Sequence, residues 1–161
     1  MSCTVRLDRV FTYGDKLSFL IPHEWVEFDE QENYLYQAPD SVSGWFRVSL
    51  ITVMVKNEHP SKRLEALFPK PDSVIRDEES GNLIERWEKE TEESGNRIHI
   101  YYWKVANWIF PDEVREALFS YTVLAERVGD DENERLVNLL FQLVSKAHFA
   151  EVVAEQADYV N

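Results

Sequence analysis

RIHIYYWKVANWIF (97–110), Pro111-Asp112, EVREALFSYTVLAER (113–127), an acidic break at Gly129-Asp130-Asp131-Glu132, and ERLVNLLFQLVSKAHF (134–149): this succession decides the fold. Two long runs rich in β-branched and aromatic residues stand either side of one turn dipeptide, which is the pattern of a hairpin. In the first run Ile98, Ile100, Tyr102, Ala106, Trp108 and Phe110 fall on one parity, and Tyr101, Trp103, Val105 and Ile109 on the other. In the second, Ala117, Phe119, Tyr121, Val123 and Ala125 share a face. Glu116, Ser120, Thr122 and Glu126 dominate its opposite side, interrupted by Leu118 and Leu124. After the break, Leu136, Leu139, Leu140, Leu143, Val144 and Ala147 recur at helical spacing. Asp130 or Asp131 is placed to cap that helix, and Glu132 and Glu134 complement its dipole. Lys146 and His148 suit its other end. The segment reads as strand, turn, strand, and a helix to Phe149 laid back across the sheet.

Upstream, Val10–Tyr13 and Leu17–Ile21 flank Gly14-Asp15-Lys16 and alternate as half-buried strands do, until Pro22 stops the second. Asp29–Glu32 reads as an acidic loop, and Asn33–Ala38 as a short aromatic strand ended by Pro39-Asp40. Gly44–Lys56 is apolar on both parities, the mark of a central or doubly covered strand. Pro60 and Ser61 open a short helix, Ser61–Phe68, closed by Pro69 and Pro71. Val74–Glu79 is a weak strand. Leu83–Thr91, with Glu85, Glu88 and Glu90, belongs at a solvated edge, where charge resists edge-to-edge aggregation. Ser94-Gly95-Asn96 turns it into the hairpin. The expected fold is therefore α+β. About six strands (Leu17–Ile21, Asn33–Ala38, Gly44–Lys56, Leu83–Thr91, Arg97–Phe110, Glu113–Arg127) form a single antiparallel sheet, with a short middle helix and a long C-terminal helix packed on it. Residues 1–149 make one domain, and 150–161 an acidic tail or an extension of the helix.

With 161 residues, 44% of them hydrophobic, the chain can bury a core of its own. The net charge of −13 repels a phosphate backbone and an anionic membrane surface, so neither nucleic acid nor membrane is an expected partner. Cys3 is the single cysteine, which suits a reducing cytoplasm. The first residues carry no apolar leader, and no apolar run nears the roughly 20 residues that span a bilayer. A cytoplasmic protein is expected.

The chemistry-bearing residues form no reaction centre. His23, His59, His99 and His148 lack metal-ligand spacing. No serine stands in a nucleophile elbow, and five scattered glycines make no phosphate loop. Clustered carboxylates at Asp29-Glu30-Glu32, Glu78-Glu79 and Asp130-Asp131-Glu132 read as solvated faces and a helix cap. No catalytic residue, metal or cofactor is expected. The aromatics remain. Trp25, Trp45, Trp87, Trp103 and Trp108 form either a core with its rim or a surface that accepts a peptide, a helix or an apolar ligand. Trp103 and Trp108 have opposite parity, so from a regular strand one of them must leave the helix-covered core. Trp45, Trp87, Trp103 and Trp108 are the candidate partner-binding residues.

The order of elements resembles the Mog1/PsbP-like fold, which includes DcrB-like bacterial domains. The most specific element is the opening Phe19-x-Ile21-Pro22-x-x-Trp25. The closing hairpin and helix, Arg97–Phe149, agree with the fold in order and length. The resemblance covers roughly Val10 to Phe149. It implies an antiparallel sheet with packed helices and a non-catalytic accessory module, in some relatives a chaperone that cradles apolar segments. The expected function is a cytoplasmic protein-binding domain, an adaptor or chaperone for another polypeptide. Two alternatives stand beside it: a small-ligand domain with a pocket between sheet and helix, and an acidic immunity protein against a basic toxin.

Overall fold

The computed structural model describes residues 5–39 and 44–151. Cys3 and most of the acidic C-terminal segment lie outside the described residues. In chain order the elements begin with strands β1 (Leu7–Thr12), β2 (Leu17–Pro22), β3 (Val26–Glu30), β4 (Asn33–Gln37) and β5 (Trp45–Met54). Helix α1 (Pro60–Ala66), a 3-10 turn at Pro71–Ser73 and the short β6 (Ile75–Arg76) follow. The second half holds β7 (Leu83–Glu93), β8 (Asn96–Ile109), β9 (Glu113–Leu124), a 3-10 turn at Ala125–Arg127, α2 (Asp131–Ser145) and β10 (His148–Phe149).

The α+β class and the antiparallel hairpin of β8 on β9 agree with the sequence reading; Trp103 faces Phe119 and Tyr101 faces Tyr121 across it. The expected single sheet is corrected. There are two sheets, one of seven strands in the order β3-β4-β5-β9-β8-β7-β6 and one of three in the order β1-β2-β10. Leu17–Ile21 therefore leaves the large sheet and becomes the centre of the small one. Its alternation reports that Leu17, Phe19 and Ile21 are buried, which they are. Alternation cannot name the sheet in which a strand pairs.

Two further differences have local causes. The acidic stretch Asp29–Glu32, expected as a loop, is half strand: Asp29 and Glu30 end β3, and Gln31, whose φ is 47°, turns with Glu32 into β4. Carboxylates of β3 found partners rather than solvent alone: Tyr36 donates to Glu27 at 2.7 Å, and Arg47 donates to Glu30 at 3.1 Å. The C-terminal helix ends at Ser145, not Phe149. The buried amide of Asn82 donates to the carbonyls of Ser145 (3.1 Å) and Ala147 (2.7 Å), which satisfies groups that the helix end would otherwise orphan. The chain then turns back, and His148 and Phe149 pair with Ser18 and Leu17 of β2.

The main core lies between the large sheet on one side and α2 with the small sheet on the other. Leu17, Phe19, Phe46, Val48, Trp103, Phe119, Tyr121, Leu140 and Val144 meet there. The helix presents Leu140 and Val144 fully, with Leu136, Val137 and Phe141 leaning on the same cluster. Leu139 and Leu143 are only half-buried, so the stripe is rotated from the expected one. A second cluster sits on the opposite side of the large sheet. There α1 lays Leu64 and the following Phe68 against Val55, Leu83, Ala106 and Val114.

Two polar devices lock this arrangement. Arg115, 3% exposed, pairs with Glu113 at 2.8 Å and donates to the carbonyls of Lys16 (3.0 Å) and Ala150 (2.6 Å). One guanidinium thus ties β9 to the β1–β2 turn and to the chain after β10. Gly44, just before β5, donates its N–H to Tyr121 Oη at 3.0 Å. A Cβ there would lie 1.9 Å from the Thr122 carbonyl oxygen, so only glycine lets the chain enter the sheet at this point.

Candidate functional site

The register fixes which side chains share the face of the large sheet turned away from α2. Gln37, Trp45, Thr122 and Ile100 form one row across β4, β5, β9 and β8; Leu35, Arg47, Ser120 and Tyr102 form the next. Phe28 of β3 lies opposite Leu35, and Trp87 of β7 lies opposite Tyr102. A third row runs Ser49, Leu118, Lys104 and Glu85. Among the described residues α1 and its flanking loop cover only the far end of this face, where Lys104 donates to the Leu67 carbonyl at 2.8 Å and sits over the Phe68 ring.

The remainder is open, aromatic and apolar. Trp45 is 43% exposed and Trp87 39%. Val26, Phe28 and Ile51 are exposed as well. The rings are held in pairs. Phe28 and Trp45 stand 6.3 Å apart, and Trp87 stacks on Tyr102 at 5.1 Å with an interplanar angle of 12°. Paired rings lose little freedom when a partner lands on them, which favours their use as anchors. Between the pairs, Arg47, Ser120 and Thr122 supply polar groups, with Arg47 bound to Glu30.

The four tryptophans singled out from sequence thus divide. Trp45 and Trp87 stand on the open face. Trp108 shares that face but lies at its covered end, half-buried against the α1 cluster, with its Nε1 donating to the Pro111 carbonyl at 3.2 Å and His59 at its ring edge. Trp103 is 2% exposed, in the main core beside Tyr101, and presents nothing to a partner. Sequence reasoning missed Phe28, Tyr102 and Ile51. Phe28 is hidden because it stands directly before the acidic stretch Asp29–Glu32; Tyr102 and Ile51 could have been found by following the parity of Trp108 and Trp45.

Elsewhere the titratable groups are occupied with structure. Among the described residues no three His, Cys, Asp or Glu side chains gather into a metal-holding group. His23 bonds Asp8 at 2.6 Å, His59 caps α1 through Ser61, and His99 bonds Glu88 at 2.7 Å. Burial, and then its neighbour Tyr34, push the Tyr13 phenol up to about 12. Burial and the bond to Glu27 raise that of Tyr36 further. Both stay protonated at neutral pH and serve as hydrogen-bond donors. A cleft of about 700 Å³ opens at the C-terminal end of α2, lined in part by Asn82, Asn107, Trp108, Phe110 and Lys146. It lies beyond the sheet–α2 interface, which is filled by Trp103, Phe119, Leu140 and Val144. Among the described residues no helix is long and apolar enough to cross a membrane.

No family model and no curated protein matches the chain by sequence. Solved structures do. A protein from Bacteroides thetaiotaomicron VPI-5482 superposes with a TM-score of 0.57 at 18% identity, over 89% of this chain and 48% of that one. The chain thus spans about half the length of that protein. LpqN of Mycobacterium tuberculosis, involved in cell envelope biogenesis, gives 0.47 at 15% identity over 89% and 90% of the two chains. The Saccharomyces cerevisiae Ran-binding protein Mog1p gives 0.49 at 11% identity over 92% and 97%. The fold is Mog1/PsbP-like. At these identities the likeness is one of fold alone.

Proposed function

We propose that this chain is a non-catalytic, cytoplasmic protein-binding domain of the accessory kind, an adaptor or chaperone that holds another polypeptide against the open face of its large sheet. One observation carries the reading. Trp45 with Phe28, and Trp87 with the half-buried Tyr102, stand as two ring pairs on a face that, among the described residues, is covered only at one end. Exposed aromatic side chains grouped on one face mark binding sites in soluble proteins, and aromatic anchors dominate the energetics of protein interfaces. The polar groups between the pairs fit a partner that combines an apolar centre with hydrogen-bonding groups.

The test is photo-crosslinking in the native cell, with a benzophenone amino acid placed at position 45, at position 51, or at position 138 on the exposed side of α2. The expected result is one discrete protein adduct from positions 45 and 51, and none from 138. Adducts that form equally from all three positions, or only from 138, would refute the open face as the binding surface.

A further inference from the structure

The outer border of the open face is a long strand, β7, most of whose outer side is unpaired among the described residues. Among the described residues β6 pairs with β7 only at Leu83 and Ile84, so from Glu85 to Glu93 β7 has β8 on one side and solvent on the other. Alternate N–H and C=O groups of such an edge point outward and can pair with one more strand. The side chains of this edge follow a strict order. Toward α2 stand Arg86, Glu88, Glu90 and Glu92; toward the open face stand Glu85, Trp87, Lys89, Thr91 and Glu93. Arg86 is drawn over the Phe141 ring at 4.7 Å. The row that a newcomer meets on the α2 side is therefore Glu88, bonded to His99 at 2.7 Å, Glu90, paired with Arg97, and Glu92, all with carboxylates facing solvent. On the open side the same newcomer meets the exposed Trp87.

This pattern selects its occupant by charge. A second copy of the chain added antiparallel along the length of this edge, centred at position 88 or beyond, would set glutamates opposite glutamates, and like charges facing each other destabilise a strand pair. A strand of the opposite pattern meets no such penalty. We infer that β7 accepts an extended basic segment of another protein as an added edge strand. Its lysines or arginines face Glu88, Glu90 and Glu92, and its alternate, apolar residues lie over Trp87. The inference rests on the protein-binding reading above and names the chemistry of the partner. The same glutamates that keep the edge from self-association then serve as its specificity code.

The probe is a synthetic peptide, acetyl-Lys-Val-Lys-Leu-Lys-Val-Lys-amide, titrated into the isotopically labelled full chain and followed by backbone and indole NMR signals. Shifts and slowed amide exchange are expected along 85–93, together with a shift of the Trp87 indole. Two peptides N-methylated on alternate residues, in the two possible phases, separate strand pairing from simple charge attraction; one of them should lose binding. Replacing each lysine by glutamate in the peptide, or combining Glu90→Lys with Glu92→Lys in the protein, should weaken binding about tenfold or more. The inference is overturned if the lysine peptide does not bind, if both methylated peptides bind as well as the parent, or if the charge changes have no effect. Shifts confined to Trp45, Ile51 and Leu118 would overturn the edge and leave the open-face reading standing. Trp45→Ser should abolish the crosslink from position 51 while leaving the peptide titration unchanged, which tells failure of one reading from failure of the other.

Discussion

On one face of the large sheet, Phe46, Trp103, Phe119 and Tyr121 are sealed beneath α2 and the small sheet; on the other, Phe28, Trp45 and Trp87 remain in solvent. Both faces are rich in aromatic and β-branched residues, and both contain charged groups. The difference lies in cover. The first face is matched by an amphipathic helix whose Leu140 and Val144 fit it, and by β2, whose Leu17, Phe19 and Ile21 complete it. Among the described residues the second receives only the short α1 and its flanking loop at one end. Aromatic content alone does not tell a core from a binding surface; the supply of a complementary apolar layer does.

Leu140→Ala tests that contrast at its strongest point. Removing a side chain that is 1% exposed should lower stability by about 2–5 kcal/mol in denaturant melts. The corresponding change on the other face, Ile51→Ala, should fall within about 0.5 kcal/mol. Equal effects would mean that the two faces are not distinguished by cover. Arg115→Ala comes next. It strands the Glu113 carboxylate and leaves the Lys16 and Ala150 carbonyls without their donor, so a loss of about 3 kcal/mol is expected. A loss under about 1 kcal/mol would show that the small sheet needs no such tie. Trp45→Ser should change stability by less than about 1.5 kcal/mol, roughly the worth of its ring contact with Phe28, while removing the crosslinked adduct.

The smallest effect concerns pH at the α2 terminus. The hydrogen bond from Ser80, followed by the ion pair with Lys146, holds the Asp77 carboxyl below its usual value of 3.8. A lowered folded-state pKa contributes stability above that value, and the contribution is lost as pH falls through the folded pKa. Lys146 is raised by its bonds to Glu79 and then Asp77, so its share persists until the solution becomes strongly alkaline. The melting temperature of Asp77→Asn should therefore lie slightly below wild type near neutrality and converge with it in acid. A gap that widens on acidification would contradict this.

Much of the large sheet was legible from sequence because its strands obey period two and its turns carry turn residues. The parity of Trp103 and Trp108 correctly required that they part company, but it could not say which of them faces the core. That depends on where α2 lands, and α2 is rotated from its apparent stripe because Asn133 bonds Tyr101 at 3.2 Å and takes a core position. The small sheet was illegible for a different reason. β10 is a two-residue strand set by the backbone bonds of Leu17 and Ser18, and no side-chain pattern records such a pairing. β3 was concealed because its glutamates read as solvent-seeking until Tyr36 and Arg47 are known to face them.

The small sheet joins the first two described strands to the last. Chains are made from the N-terminus, and domains begin to fold as they emerge. β2 therefore leaves the ribosome well before α2 and β10, which cover and border its buried Leu17, Phe19 and Ile21. Until they follow, β2 has β1 beside it and Tyr36 and Phe46 for Phe19, but lacks the rest of its cover. The β8–β9 hairpin and the rest of the large sheet can assemble in the meantime. The Arg115 bonds to the Lys16 and Ala150 carbonyls can form only once Ala150 has been made, so the tie that fastens the small sheet to β9 must come after the large sheet's strands.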